Sequence, residues 1–326
     1  MKRWGKWVLI ILLAVGLCLG IYAWYLYYSV KTVIEKTYEP IRINHLEKSE
    51  RREEKVSIQK KDPISILMLG IDEEKISNGR SDTIIVVTIN PDKKSVLLFN
   101  IPRDTRTEII GKGTTDKINH AYAFGGVEMA VHTVEEFLQI PIDYYIKVNM
   151  KEFVKVIDQL GGVTVENKTP FSYEDHSFKK GTLHLNGDAA LAYTRMRYDD
   201  PRGDMGRNKR QREVIRSLIR KVESPEMLPQ MEALFEKVAS SVKTNLTFDD
   251  VKEITFDYRA AVTKFQDLEL KGTGEKLNGI YYYVVSQEER QRVSQKLNEE
   301  LSKSPTGSTE EIKTPSSLAR KRGIPY

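Results

Sequence analysis

Arginine and aspartate side chains recur together where three predicted strands of this chain begin or end. The set comprises one residue after the first strand, two at the start of the second and three after the third: Asp72, Arg80, Asp82, Arg103, Asp104 and Arg106. Ligands of α/β sheets bind beyond strand ends. Guanidinium groups suit phosphate oxygens, and Mg²⁺ is usually held by one or two carboxylates plus substrate phosphates. A single pair would fit a surface ion pair, but the whole set predicts a metal–diphosphate site.

A second and denser group of basic residues follows later in the chain. It opens with Arg195 and Arg197 and continues through residues 202–212, where a helix is predicted to begin. Residues three and four apart share a helix face, and one face carries positions 207, 211, 214, 218 and 222. That face starts with Arg207 and Gln211 and then becomes apolar, at a helix end that favours anions. We therefore expect a phosphate site there, and a solvated helix start only for Lys209 and Arg212.

Strand and helix patterns alternate through the middle of the chain. Nearly continuous β-branched and apolar runs predict buried strands at 64–71, 82–90, 95–101, 144–148, 163–166, 265–270 and 280–285. Apolar residues at helical spacing predict helices at 126–138, 151–160, 187–193, 205–222, 227–240 and 248–258, and a last helix from Gln287. The alternation predicts an α/β domain, layered α-β-α, with a central mixed β-sheet flanked by helices.

The N-terminal residues predict a membrane anchor. Lys2, Arg3 and Lys6 precede residues 7–28, an apolar run without a charged side chain. Roughly 20 apolar residues cross a bilayer, whereas a cleavable signal has roughly 7–15 followed by small residues. This run instead ends in aromatic rings, which suit the membrane interface. Because the basic residues come first, we expect a cytoplasmic segment 1–6, a transmembrane helix 7–28 and a single-pass type II protein of the cell membrane with an extracellular C-terminal domain.

Composition divides the exported part into three segments. Residues 29–61 are rich in Lys, Glu and Arg and predict a charged, solvated stalk, while residues 302–326 predict a disordered tail. Residues 62–301 form the predicted extracellular domain, which is long enough to bury its own core. The sole cysteine, Cys18, lies in the predicted span, so the exported part cannot form a disulfide. A net charge of +5 outside a membrane favours an anionic lipid or glycan partner and argues against nucleic acid.

The charged residues also carry a resemblance to a known family. Six motifs within residues 62–222 make it up: Leu69-Gly70-Ile71-Asp72, Gly79-Arg80-Ser81-Asp82-Thr83, Ile101-Pro102-Arg103-Asp104-Thr105, Lys117-Ile118-Asn119-His120-Ala121-Tyr122, Ala192-Tyr193-Thr194-Arg195-Met196-Arg197, and Gly203-Asp204 through Arg210-Gln211. On these motifs the chain resembles the LytR-CpsA-Psr family of Gram-positive bacteria. Members of that family are membrane-anchored phosphotransferases that move anionic glycopolymers, such as wall teichoic acid or capsule, from an undecaprenyl-diphosphate carrier to peptidoglycan.

The resemblance implies a role for each matching residue. Asp82 and Asp104 would bind Mg²⁺, the expected cofactor, and would form the catalytic set together with Arg103. The diphosphate would lie among Arg80, Arg103, Lys117, Asn119, Arg195, Arg197, Arg207, Arg210 and Gln211. A peptidoglycan hydroxyl would attack, undecaprenyl phosphate would leave, and either aspartate is a candidate general base. Phosphoryl transfer depends mainly on charge neutralisation and in-line placement, which these residue types supply.

The resemblance also implies that the polyprenyl chain lies between the sheet and its helices. The candidate lining segments are residues 127–138 and 153–160, although apolar stripes of this kind ordinarily form a core. The expected partners are thus the undecaprenyl-diphosphate-linked glycopolymer, peptidoglycan and the membrane.

Two functions of other classes remain open on the sequence alone. One is a membrane-anchored module that binds polyprenyl diphosphate or acts as a regulatory attenuator, and the other is a polyprenyl-diphosphate hydrolase. A DNA-binding regulator would need a cytoplasmic domain, whereas only residues 1–6 precede the predicted span. Removing Asp82 or Asp104 would silence either enzyme but not a lipid-binding module. Dependence on an acceptor would separate a transferase from a hydrolase.

Overall fold

The computed structural model describes residues 20, 24–25, 27–29, 31–32, 35–41, 48–71, 79–197, 200–222 and 242–303. Its strands are β1 (Ile64–Ile71), β2 (Ser81–Asn90), β3 (Ser95–Asn100), β4 (Arg106–Ile109), β5 (Thr114–Lys117), β6 (Tyr144–Asn149), β7 (Val163–Asn167), β8 (Phe171–Tyr173), β9 (His176–Phe178), β10 (Gly181–Leu185), β11 (Val242–Thr244), β12 (Lys264–Leu268), β13 (Thr273–Leu277) and β14 (Ile280–Val284). Its α-helices are α1 (His120–Leu138), α2 (Met150–Gln159), α3 (Gly187–Arg195), α4 (Asp204–Val222), α5 (Phe248–Asp257) and α6 (Gln287–Leu301), and a 3₁₀ helix (Arg259–Thr263) follows α5.

Six strands form a mixed central sheet in the order β11-β6-β1-β2-β3-β12. Strand β2 runs antiparallel to its neighbours β1 and β3, whereas β6 is parallel to β1 and β12 is parallel to β3. In this register Ile71 pairs with Ser81, and Ile85 pairs with Asn100. The end of β1, the start of β2 and the end of β3 therefore lie at the same edge of the sheet.

Helices cover both faces of this sheet. Helices α1 and α6 cover one face, where the buried core includes Leu67 and Phe99, while α5 and the 3₁₀ helix cover the other, where it includes Ile66 and Val87. Successive strand residues point to opposite faces, so a strand buried on both sides is apolar at nearly every position. The layers confirm the predicted α/β fold with a central mixed sheet flanked by helices.

A third core lies beside the sheet, among helices α2, α3 and α4 and the antiparallel pair β7–β10. Helix α3 begins at Gly187, where the chain passes very close to α2. A Cβ at this position would lie 2.1 Å from the carbonyl oxygen of Val154, so the position requires glycine. Tyr193 and Val214 are fully buried in this core. Their packing fixes the direction of α4, whose first turns approach the strand ends.

The start of helix α1 and three exposed strands differ from the sequence prediction, each for an identifiable physical reason. Helix α1 begins at His120 rather than at residue 126, but its backbone breaks at Gly125 and Gly126, and the second glycine has φ +64°. Strands β4, β5 and β13 were not predicted, because they are largely exposed and polar and carry no continuous apolar run, whereas β14 confirms the strand predicted at 280–285. The hairpin β13–β14 turns at Asn278 and Gly279, which both have positive φ, as a two-residue hairpin turn requires.

Part of the predicted solvated stalk is packed against the domain. Within residues 48–62, Nε and Nη2 of Arg52 donate to the carboxylate of Asp143, at 2.9 and 2.7 Å. The hydroxyl of Ser49 donates to Glu135 at 2.5 Å, and both groups are buried. Burial of Glu135 raises its pKa, although the Ser49 hydrogen bond opposes the shift. The charged composition of this segment thus reflects ion pairs with the domain as well as exposure to water.

An earlier contact joins the chain to the edge of the sheet. Tyr38 forms a parallel bridge with Thr244 of strand β11, and the backbone N–H of Glu39 donates to the Thr244 carbonyl at 2.7 Å. The hydroxyl of Tyr145 donates to the carbonyl of Glu39 at 2.7 Å. The folded unit therefore includes residues on the N-terminal side of the predicted domain start at residue 62.

Several predicted segments lie outside the described residues. They include the predicted site residue Asp72, the segment 1–6, most of the span 7–28, the helix 227–240 and the tail beyond residue 303. Among the helices that the structure describes, none combines the length and the apolar character needed to cross a bilayer.

Candidate active site at the strand ends

Arg103 stands at the centre of the charged strand ends. It follows β3 in a turn in which the backbone N–H of Thr105 donates to the carbonyl of Pro102 at 2.9 Å. Its Nη1 lies 3.0 Å from Oδ1 of Asp82, and its Nε lies 3.8 Å from Oδ2 of Asp104. Burial acts to lower the pKa of Arg103, but the two aspartates outweigh it and the pKa is raised. The structure thus brings together the three residues predicted to form the catalytic set.

The end of β5 and the start of α1 add a lysine and an asparagine to this group. Lys117, the last residue of β5, places its Nζ 2.8 Å from Oδ1 of Asp104. Asn119 directs its Nδ2 toward Oδ1 of Asp82 at 3.5 Å, a weak contact. The Oδ1 of Asn119 is buried and has no hydrogen-bond partner among the described residues. A buried amide oxygen without a partner is unusual and calls for a ligand or ion to satisfy it.

The oxygen atoms of this site fit a hard divalent cation. Asp82, Asp104 and Asn119 supply carboxylate and amide oxygens, which are the ligand types of Mg²⁺. Within the described ranges, no three residues of the types His, Cys, Asp and Glu are grouped as a complete protein cage for a metal. His120 is paired instead with Asp116, its Nδ1 lying 2.7 Å from Oδ2. The donor set matches a cation that completes its coordination with substrate phosphates.

The first turn of α4 supplies a second group of charges. Nη2 of Arg207 lies 2.8 Å from Oδ1 of Asp204, and Nε of Arg197 lies 3.4 Å from the same atom. Burial lowers the pKa of Arg207; Asp204 opposes the shift, and the positive charges of Arg103 and Arg197 add to it. Asp204 was not among the predicted site residues. Its position three residues before Arg207 at a helix start was the available signal.

Gln211 and Arg210, one position apart on α4, have different surroundings. Gln211 donates from Nε2 to the hydroxyl of Thr83 at 3.2 Å and accepts from Nδ2 of Asn100 at 2.9 Å, so it joins α4 to two strand ends. Arg210 is buried and points to the third core. Its guanidinium donates to Asp200 at 2.5 Å and to the main-chain carbonyls of Tyr193 and Met196.

The charged residues line an open cleft of about 580 Å³. Its walls are formed by Arg103, Asp104, Lys117, Arg197, Asp200, Pro201, Gly203 and Tyr281. The other predicted site residues are not part of this lining: Arg80, Asp82, Asn119, Arg195, Arg207, Arg210 and Gln211. Arg80 is exposed before β2, and Arg195 is half-buried at the end of α3. A cavity of about 610 Å³ lies between the end of α1 and α6, but it contains none of the predicted site residues. The cleft of about 580 Å³, which contains the charged residues, is therefore the candidate active site.

A small apolar cavity of about 60 Å³ lies behind the cleft, between the sheet and helices α2 and α4. Gln211 and Thr83 are part of its lining, and Thr83 follows Asp82 directly in β2. Of the candidate lining segment 153–160, Phe153 is part of this lining. The segment 127–138 does not; its apolar residues are in the core on the opposite face of the sheet.

Comparison with known proteins shows similarity over most of the chain. A model of the LytR_cpsA_psr family matches residues 25–299. The polyisoprenyl-teichoic acid–peptidoglycan teichoic acid transferase TagU of Bacillus subtilis (strain 168) is 48% identical over 305 residues, 93% of this chain and 98% of that protein. The crystal structure of B. subtilis TagU aligns with a TM-score of 0.62 at 46% identity, covering 76% of this chain and 100% of that one. A structure of TagT bound to LI-WTA aligns with a TM-score of 0.68 at 31% identity, covering 80% and 99%.

Proposed function

This chain belongs to the LytR-CpsA-Psr family, and from that premise we propose that it transfers wall teichoic acid from an undecaprenyl-diphosphate carrier to a peptidoglycan hydroxyl. The observation that carries the proposal is the position of Arg103. Its guanidinium lies between Asp82 and Asp104, at the wall of a cleft that also holds Lys117 and Arg197. The names of the TagU relatives support the choice of polymer and acceptor.

In the proposed reaction a sugar hydroxyl of peptidoglycan attacks the phosphorus that carries the glycan. A new phosphorus–oxygen bond forms, and the bond from that phosphorus to the bridging oxygen breaks, so that undecaprenyl phosphate leaves and a phosphodiester remains. The hydroxyl proton passes to a carboxylate, for which Asp82 and Asp104 are the candidates. Negative charge on the transferring phosphoryl oxygens is stabilised by Arg103, Lys117 and Arg197, which are held in place before the reaction.

We propose Mg²⁺ as the cofactor, held by Asp82, Asp104 and the unpartnered Oδ1 of Asn119. A bound magnesium ion supplies positive charge at the diphosphate oxygens. Chelation should abolish turnover. Replacing Asp104 with asparagine should raise the Mg²⁺ concentration for half-maximal rate by at least about ten-fold, because one anionic ligand is lost. Magnesium titrations of the transfer rate check both results.

The control for this titration is Asp92→Asn, which changes an exposed aspartate in the turn between β2 and β3, at the far end of the sheet. This variant should keep the magnesium dependence of the wild type. Equal magnesium dependence in Asp104→Asn and the wild type would remove Asp104 from the proposed metal site.

The apolar cavity behind the cleft is the proposed entrance for the carrier's polyprenyl chain. Its location next to Thr83 and Gln211 would place the chain directly behind a diphosphate bound in the cleft. A volume of about 60 Å³ holds only the first carbons of such a chain. Binding therefore requires helices α2 and α4 to move away from the sheet.

Gly70 provides a direct test of this entrance. A Cβ at Gly70 would lie 2.9 Å from Cβ of Thr83 and 3.0 Å from Sδ of Met150, so a larger side chain must fill the cavity. We expect Gly70→Val to raise KM for an undecaprenyl donor by about ten-fold, the effect of losing roughly two buried methylenes. KM for a donor with a very short alkyl chain should change little.

The comparison of the two donors serves as the internal control for Gly70→Val. Overpacking can also lower stability by about 1–3 kcal/mol, so thermal unfolding is measured on the same protein. An equal effect of the substitution on both donors, in a protein that remains folded, would contradict a polyprenyl entrance at this cavity.

The experiment that tests the function uses the full chain in detergent micelles with a prenyl-diphosphate-linked glycan and Mg²⁺, with and without peptidoglycan fragments. We expect glycan attached to peptidoglycan only when the acceptor is present. Release of glycan without acceptor would favour the hydrolase. Tight binding without any turnover would favour the lipid-binding module.

We also propose the cellular arrangement predicted from the N-terminus. Residues 7–28 would anchor the protein in the cell membrane, and the cleft would face the extracellular side, where the acceptor lies. The basic residues before the span support this orientation. Accessibility of an engineered cysteine on the surface of α6 to a membrane-impermeant thiol reagent in intact cells tests it.

A further inference from the structure

We propose that Tyr281 is a carbohydrate-binding residue, whose ring packs against a pyranose of the substrate in the cleft. The inference rests on the proposed function, because it names the part of the substrate that lies next to the phosphate groups. Tyr281 is 37% exposed although it is a large side chain, and it lines the cleft together with Arg103, Asp104 and Lys117. It was not among the residues singled out in the sequence.

The hairpin β13–β14 that carries Tyr281 is fixed to the site by its backbone. The N–H of Tyr283 donates to the carbonyl of Asp104 at 2.8 Å, and Tyr283 forms a parallel bridge with Thr105. The hydroxyl of Tyr283 donates to the carbonyl of Leu270 at 3.0 Å. The strand therefore holds Tyr281, two residues away on the same face, at a constant distance from the carboxylate of Asp104.

A glycine on the opposite strand sets the orientation of the ring. An added Cβ at Gly274 would lie 2.7 Å from Cε2 and 2.8 Å from the hydroxyl oxygen of Tyr281, so the ring lies over the bare backbone of β13. An aromatic ring covering a strand glycine is a known stabilising arrangement. One face of the Tyr281 ring packs against β13, and the exposed part of the side chain is available to a ligand in the cleft.

The chemistry of the cleft favours a sugar ring as the ligand. Aromatic side chains give a large rigid contact surface with a polar tip, and the hydroxyl of Tyr281 has no hydrogen-bond partner in the part of the chain that the structure describes. Charged groups of Asp104 and Lys117 along the same wall can bond sugar hydroxyls. A pyranose here would be either the first sugar of the donor or the acceptor sugar, and both lie beside the reacting phosphate.

The test compares two ligands that differ only in the sugar. Binding of farnesyl diphosphate and of farnesyl diphosphate linked to N-acetylglucosamine is measured by calorimetry on the full chain in micelles. We expect Tyr281→Ala to weaken the sugar-linked ligand by roughly ten-fold, the strength of a good aromatic contact, and to leave farnesyl diphosphate unchanged. KM for a muramyl glycan fragment is measured in parallel for the acceptor. An effect on the first assay alone identifies the donor sugar, and an effect on the second alone identifies the acceptor sugar.

Three further variants distinguish how the ring of Tyr281, its hydroxyl group and the strand around it contribute to sugar binding. Tyr281→Phe keeps the ring and should retain most of the affinity. Gly274→Ala displaces the ring without removing it and should weaken sugar binding in the same assay. Ile280→Ala, a neighbouring exposed residue on the other face of the hairpin, is the matched control and should behave as the wild type.

Each alternative result has a defined meaning. Unchanged affinity and unchanged acceptor KM in a folded Tyr281→Ala protein would overturn the sugar assignment and leave the proposed transferase intact. Weaker binding of Tyr281→Ala to phosphatidylglycerol vesicles, with both sugar assays unchanged, would assign the ring to the membrane surface instead. A wild-type protein that binds neither farnesyl ligand would remove the proposed function together with this inference.

Discussion

Replacing Arg103 with alanine is expected to lower kcat for glycan transfer by about 10²–10³-fold, the usual effect of losing one fixed donor to a transition state. The guanidinium contacts Asp82 at 3.0 Å and faces Asp104, so its removal also takes away a positive charge that neutralises both carboxylates. Donor KM should change much less than kcat, because the charge that Arg103 stabilises develops mainly during the reaction. Single-turnover rates and steady-state KM values with the full chain check this prediction.

The matched control for Arg103→Ala is Arg292→Ala. Arg292 also pairs with a carboxylate, Glu289 at 2.7 Å, but on the surface of α6 and outside the cleft lining. This variant should transfer glycan at the wild-type rate. A wild-type kcat for a folded Arg103→Ala protein would contradict the central role of Arg103.

Replacing Arg210 with alanine is expected to destabilise the domain strongly. Arg210 and Asp200 are both almost fully buried and lie 2.5 Å apart, and the same guanidinium holds the carbonyls of Tyr193 and Met196. Removing one partner of a buried pair costs about 3–5 kcal/mol. In a domain of this size, that corresponds to a fall in Tm on the order of 10 °C. Calorimetric or circular dichroism melting of the full chain measures it.

A double substitution and a surface control complete this test. Arg210→Ala combined with Asp200→Ala should cost less than the sum of the two single changes, because the charge left unpaired by either one is gone. Arg220→Ala, on the exposed end of α4, removes a contact with the ring of Phe265, the one interaction of its guanidinium within the described part of the chain, and should cost about 1 kcal/mol or less. A normal Tm with reduced diphosphate affinity in Arg210→Ala would instead place Arg210 among the residues that contact substrate.

The sequence predicted those parts of the molecule that local patterns determine. Strands β1 to β3 were visible as apolar runs because both faces of the sheet are covered. The convergence of Asp82, Arg103 and Asp104 followed from the rule that strand ends carry ligand sites. The mixed sheet, its flanking helices and the family were accordingly identified before the structure.

Residues whose surroundings depend on distant parts of the chain were harder to assign. Arg212 was expected in a solvated helix start, but it is only 2% exposed and pairs with Asp267 in β12 and with Glu269 directly after it. Burial lowers its pKa, and the two acids oppose that shift. Tyr281 lies far along the chain from the motifs and reaches the cleft only because Tyr283 bonds to Asp104. No periodicity within a short window contains that information.

The bridge between Tyr38 and Thr244 limits how far the folded domain can lie from the proposed membrane anchor. The described residues between 27 and 37 are helical, and the chain joins the edge of the sheet directly after them. A helix rises 1.5 Å per residue, so if residues 7–28 form the proposed anchor, ten residues of helix between residue 28 and Tyr38 would span on the order of 15 Å. A helical spacer of that length would hold the cleft at a fixed distance from the membrane surface. Diphosphate headgroups at that distance from the anchor would meet the cleft at a high effective concentration, whereas headgroups at other distances would not reach it.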